Sequence, residues 1–306
     1  MLTMWKRFVA MIVRKQQSVF SAAIVIMSTV LLSRFLGLVR ERLLLMYFSP
    51  DQLGPYHAAF RIPNLIFELL VVGAVSTAFI PVFTNTWVKR GKVYAFELGN
   101  HVINLSLVGV VILLLPLYLF AQPLSYILVP GFSPAERDLF VSFTRIIMLG
   151  QLIPFVIGNF IAGMLQSFQR FLIPALAPVA YNVGIVIGVI LFSTKFGLYA
   201  PVLGVVLGAF LYLVIQVPLL VKFGFRYSLT MKMHQQELRQ MFRLMLPRTF
   251  GVAVSQIDAT IDLILASLLG SRNVSLFFYA QQLQQVPIGL FGATFAQAAF
   301  PSFSAE

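Results

Sequence analysis

The sequence predicts an all-α, polytopic membrane helix bundle of about eight transmembrane helices, with one six-helix lobe and the first two helices of a second. Three observations carry this. The 306 residues are 59% hydrophobic and 10% charged, where a soluble chain is about 25% charged, and mean hydropathy is +0.90. The apolar stretches reach the ~20 residues that cross a ~30 Å hydrocarbon core. They also lack the period-two alternation of a barrel strand, and only helices or closed barrels satisfy their backbone in lipid. A formal net charge of +12 would point to nucleic acid in a soluble chain, but the positive-inside rule accounts for it here, so no nucleic-acid partner is expected. With no Cys and three His, disulfides and thiolate chemistry are excluded and a His-rich metal centre is not expected.

Taken in order, the first span, 19–48, follows Lys6, Arg7, Arg14 and Lys15 and runs past any small-residue cleavage site, so it reads as a retained signal anchor. The second, 58–86, contains Pro63, Gly73 and Pro81. Such interruptions recur where a transporter helix lines a cavity, although membrane helices also tolerate them, and Pro63 beside Arg61 and Asn64 is the better hinge candidate. Spans 97–120 and 138–168 are the third and fourth. Spans 171–194 and 198–221 carry Gly184/Gly188 and Gly204/Gly208, a close-packing spacing. The basic stretch 222–243 reads as a cytoplasmic linker with an interfacial amphipathic helix, closing a first lobe at 1–243. Spans 244–269 and 274–303 then open a second lobe, 244–306.

Orientation follows from the loops. A cytoplasmic N-terminus places Lys6, Arg7, Arg14, Lys15, Lys89, Arg90, Lys92, Arg170, Lys222, Arg226, Lys232, Arg239 and Arg243 inside, and only Arg137, Lys195 and Arg272 outside. An internal repeat supports the lobe boundary: 33–37 (SRFLG) resembles 247–251 (PRTFG), and 78–83 (AFIPVF) resembles 298–303 (AAFPSF). The chain stops at Glu306 directly after the repeated proline motif, which makes it read as part of a longer protein.

Six basic residues, Arg34, Arg40, Arg42, Arg61, Arg145 and Arg248, fall within or at the edges of spans, with Glu41, Glu68, Asp258 and Asp262 as their acidic company. Each costs about 2.5–3.5 kcal/mol at a helix centre on insertion scales, so each is a functional hypothesis. Arginine's planar fork suits bidentate capture of phosphate or carboxylate, which points to an anionic substrate such as a lipid-linked pyrophosphate. The competing reading has Arg40, Glu41 and Arg42 snorkelling and pairing with one another at the helix end. Arg34 and Arg40 lie about 120° apart on an ideal helix, so they share a cavity only if it is wide or if Gly37 permits a bend. Asp258 and Asp262, four apart, occupy one helix face and either hold a proton or Na⁺ between them or pair with Arg248 or Arg34. No catalytic triad, phosphate-binding loop or acidic metal motif is present, so no enzyme is expected.

Residues 32–41 (LSRFLGLVRE), 59–65 (AFRIPNL), 73–81 (GAVSTAFIP) and 279–292 (YAQQLQQVPIGLFG) together resemble the MurJ/MviN lipid II flippase family, of the multidrug/oligosaccharidyl-lipid/polysaccharide exporter superfamily, from about residue 20 onward. The resemblance implies fourteen helices in two six-helix lobes plus two more, in a bacterial inner-membrane protein of peptidoglycan biosynthesis. It also implies a cationic central cavity that carries lipid II, the undecaprenyl-pyrophosphate-linked precursor, to the outer leaflet by alternating access. Arg34 and Arg40, with Ser33 beside them, match the functional arginines of the first helix. Gly54, Phe67, Val72 and Gln282 stand where the family carries an acidic residue, an arginine, a glutamate and an arginine. Arg61 and Arg248 are the candidates to replace some of the lost charge, and Asn64 is a further candidate substrate-binding residue.

The expected function is therefore a lipid II flippase, acting as a monomer among membrane lipids. No cofactor is expected beyond Na⁺ or H⁺ coupling at Asp258 and Asp262, with membrane potential as the other drive. The alternatives are an exporter of another lipid-linked saccharide or of a drug cation, the latter disfavoured by the arginines, and a non-transporting membrane scaffold.

Overall fold

The computed structural model describes residues 19–72, 75–229 and 235–287, and within them the regular structure is entirely helical. Helix α1 (Val19–Tyr47) runs unbroken through Gly37. A capping box then starts α2 (Pro50–Ala59): Ser49 N–H donates to Gln52 Oε1 at 3.0 Å, and Gln52 N–H donates to Ser49 Oγ at 3.4 Å. This short helix separates α1 from the helical segment that begins at Arg61, three residues into the predicted second span.

The second crossing is not one α-helix. It runs as α3 (Arg61–Phe67), two π-helical turns at Glu68–Val72 and Val75–Phe79, and α4 (Ile80–Arg90). Pro81 supplies the reason for the second widened turn, because it has no N–H to donate and its ring crowds the carbonyl four residues earlier. Pro63 falls in the first turn of α3, where a missing N–H costs nothing, so it begins a helix rather than bending one. Gly73, the other predicted hinge, lies outside the described residues.

Next come α5 (Lys92–Leu119), α6 (Ala121–Leu128), α7 (Pro134–Ser167), α8 (Leu172–Phe196), α9 (Tyr199–Val214) and α10 (Val217–Lys222). A second capping box, Ser133 with Glu136, opens α7. The stretch predicted as a linker divides. Its first part is tied to α5, where Asn100 Nδ2 donates to the Arg226 carbonyl and Asn104 Nδ2 to the Ser228 carbonyl, both at 2.9 Å. Its second part joins the seventh crossing in one helix, α11 (Gln235–Leu268). Residues 235–246 are mostly good helix formers with neither Gly nor Pro, so nothing stops the helix there. Helix α12 (Ser271–Pro287) follows, and residues 288–306, with the repeated proline motif, lie outside the described residues.

Five helices among the described residues are long and apolar enough to cross a membrane: Lys92–Leu119, Pro134–Ser167, Leu172–Phe196, Tyr199–Lys222 and Gln236–Leu268. Helices α8 and α9 pack backbone to backbone, since a Cβ on Gly184 or Gly188 would strike Gly208 or Gly204 of the opposite helix. Around α7 the core is aromatic. Phe79 meets Phe160 edge-on at 5.1 Å between centroids, and Trp87 meets Phe168 at 4.4 Å. Phe79, Phe83 and Phe160 are fully buried, where truncation to Ala typically costs 3–5 kcal/mol.

Candidate functional site: the seam between α1 and α12

Helix α12 carries Phe278, Gln281, Gln282 and Gln285 at the i, i+3, i+4, i+7 spacing that places them on one face. That face looks onto α1. Together with Arg34, Leu38 and Gln284 they line a cavity of about 500 Å³. Gly37 faces the same seam: a Cβ there would sit 3.1 Å from Gln282 Nε2, the tip of a flexible side chain. The helix itself runs through Gly37 without a break. Arg34 Nη1 donates to the Gln285 carbonyl across the seam. The cavity combines one guanidinium with several carboxamides, each able to donate and accept. Such a surface can bind an anion at one point and hydroxyl- or amide-bearing groups around it.

Arg40 is placed elsewhere. Its side chain is 13% exposed. Nε and Nη2 donate to Glu41 Oε1 at 3.0 and 2.5 Å, and Nη1 donates to Asn182 Oδ1 of α8 at 3.0 Å. Asn182 Nδ2 in turn donates to Ser33 Oγ at 3.2 Å. Ser33 and Arg40 are therefore joined through Asn182 on the α8 side of α1, while Arg34 faces α12. The second oxygen of Glu41 lies 3.4 Å from His57 Nε2. His57 is buried; its Nδ1 is 3.3 Å from Ser275 Oγ, and its ring stacks on Phe278 at 4.3 Å. It sits on α2, outside the spans, and burial pushes its imidazole below the ordinary value against the opposing pull of Glu41.

Helices α2 and α12 are otherwise held by serines. Ser275 Oγ donates to the Pro50 carbonyl at 2.7 Å, and Ser271 Oγ to the Asp51 carbonyl at 3.1 Å. Gly54 makes this docking possible, because a Cβ there would collide with Ser271. His57 and the glutamine face escaped the sequence reading, which weighed the three His only against a metal centre. A four-glutamine stretch in a predicted span was the available signal.

Arg61 is taken up by α11. Its Nη2 donates to the Gln256 carbonyl at 2.7 Å and to Gln256 Oε1 at 2.6 Å, and its Nε donates to Thr260 Oγ1 at 3.0 Å. Glu68, in the first π turn, interacts electrostatically with both Arg248 and Arg61. Asn64 and Arg248 are exposed. Arg145 Nε donates to the Tyr118 carbonyl at 3.3 Å, a structural use. Asp258 and Asp262 share a face of α11, the first exposed and the second half-buried, and neither forms an ion pair among the described residues. Phe67 packs on Phe155 at 5.6 Å, so an aromatic contact occupies the place where an arginine was expected. Val72 closes the first π turn.

The family model described as lipid II flippase MurJ matches residues 47–306. A probable lipid II flippase MurJ from Borreliella burgdorferi is 26% identical over 284 residues, covering 92% of this chain and 56% of the relative. Among solved structures, lipid II flippase MurJ in an inward closed conformation superimposes with a TM-score of 0.75 at 23% identity, over 92% of this chain and 59% of the other. An inward-facing multidrug resistance MATE family transporter of the MOP superfamily gives 0.69 at 16% identity, over 88% and 63%. At these identities the structural likeness shows the fold. The chain spans about half the length of the curated relatives it matches.

Proposed function

The chain belongs to the lipid II flippase MurJ family, and on that premise we propose that it forms the Arg34-bearing half of a cavity that moves lipid II from the cytoplasmic to the outer leaflet by alternating access. It is a multi-pass helical membrane protein and a transporter rather than an enzyme. One observation carries the substrate reading: the cavity of about 500 Å³ where Arg34 faces the glutamine side of α12. Arg34 supplies the charge that meets the pyrophosphate, and Gln281, Gln282 and Gln285 meet the polar headgroup. The cytoplasmic N-terminus, the lobe boundary near residue 243 and cation coupling at Asp258 and Asp262 belong to the same proposal.

Depleting a bacterium of its own lipid II flippase and expressing this chain, alone and within its complete reading frame, tests it. Rescue that disappears with Arg34→Ala, at equal membrane abundance, is the expected result. Rescue retained by Arg34→Ala removes Arg34 from transport.

A second reading has its own support. Gln282 stands where the family carries an arginine, and Arg40 and Arg61 are engaged within the protein. That leaves less free positive charge for a pyrophosphate and favours another lipid-linked saccharide. Failure to rescue despite normal insertion, with export of a different lipid-linked sugar, selects this second reading.

A further inference from the structure

A second cavity, of about 410 Å³, continues the seam toward the Tyr47 end of α1. Leu38, Glu41, Arg42, Met46, Tyr279 and Gln282 line it. It shares Leu38 and Gln282 with the Arg34 cavity, so these two side chains form the common wall. Arg34, Leu38 and Arg42 are spaced i, i+4, i+8 along α1. That stacks them on one face, with the two arginines about 12 Å apart along the axis.

The charge at Arg42 is available. Arg42 is exposed and makes no hydrogen bond or ion pair among the described residues. Glu41 shares the cavity wall, but its Oε1 is held by Arg40 and its Oε2 faces His57, so it does not neutralise Arg42. The rim is apolar, with Leu45, Met46 and Leu283 exposed by 43%, 72% and 61%. A guanidinium beside exposed aliphatic side chains can meet a phosphate and its attached lipid chain together, whereas a free anion engages the guanidinium alone.

We propose that Arg42 is a second phosphate station on this seam, binding the lipid-anchored phosphate or pyrophosphate after or before it occupies Arg34. The proposal rests on the transporter reading above. It differs from an arginine that only snorkels at a helix end, because snorkelling needs no bound phosphate.

The experiment uses the 306-residue chain in phosphatidylcholine nanodiscs, with undecaprenyl pyrophosphate titrated and bound lipid counted by native mass spectrometry. Arg42→Gln should weaken binding about tenfold, the size expected for one lost charge-assisted hydrogen bond. Arg42→Lys should recover part of the loss, and both variants should melt with the parent because the side chain is exposed. An equal concentration of inorganic pyrophosphate should not displace the lipid. Displacement by inorganic pyrophosphate overturns the assignment to a lipid-anchored ligand. Parental binding in Arg42→Gln alongside lost binding in Arg34→Gln overturns the second station and leaves the transporter reading standing. No binding by the parent chain overturns both.

Discussion

Burial disfavours the charged form of the His57 imidazole more than Glu41 favours it, which holds it below its ordinary value. A group with a depressed value in the docked state stabilises that state at higher pH. The stability is lost as pH falls below the ordinary His value of about 6.5, where the undocked state takes up a proton first. Around the ring stand Glu41 and Arg40 of α1, Tyr56 of α2 and Tyr279 of α12. Lowering the pH from 7.5 to 5.5 should therefore raise hydrogen exchange in α2 and the first turns of α12. His57→Gln should remove most of that pH response, and an unchanged response would assign it to another group. Composition identified His57 only as one of three histidines. Its partners lie 16 and 218 residues away in sequence, so no local pattern reveals them.

Two elements show how local chemistry and packing divide the work. Helices α8 and α9 were legible as apolar runs with paired glycines, and their contact is made at those glycines. Gly188→Leu must push the α9 backbone away from Gly204, and overpacking of this kind costs about 1–3 kcal/mol or more. A lowered melting temperature in detergent is the expected outcome, and a parental melting temperature would show that the helices can part at no cost. The second crossing was legible as apolar and interrupted, but its division into α3, two π turns and α4 was not. Proline reports that an α-helical hydrogen bond is missing. Whether the chain answers with a kink, a break or a widened turn depends on what packs around it. The basic stretch 222–243 reads as a separate linker by charge alone, yet α11 begins inside it because helix propensity there is uninterrupted.

Over the whole molecule, the contact between α2 and α12 joins the segment after the first crossing to the last described helix. It depends on the absence of a side chain at Gly54 and on the two serine hydroxyls that reach α2 carbonyls. The chain has no cysteine, so spin labels can be placed singly at Gln52 and Arg272, both exposed. Gly54→Leu should lengthen the distance between them, and an unaltered distance would show that the close approach is dispensable. Resemblance put an acidic residue at this position in the family, and its replacement by Gly54 looked like a loss. The structure gives the glycine a packing use instead.

What the sequence determined by itself is the helical membrane class, most of the crossings and the family motifs. Hydrophobic length, glycine spacing and proline are local properties, and they act on whichever segment carries them. Which arginines remain free to meet a substrate was decided only by tertiary structure. Arg40 is bound to its neighbour Glu41 and to Asn182, 142 residues away, and Arg61 to Gln256 and Thr260, 195 and 199 residues away. Arg34, with one donor given to the Gln285 carbonyl, and Arg42 instead line the cavities on the glutamine side of α12. The physical reason is that a charge in low dielectric is either compensated or available, and its compensating partner is chosen by how the helices pack.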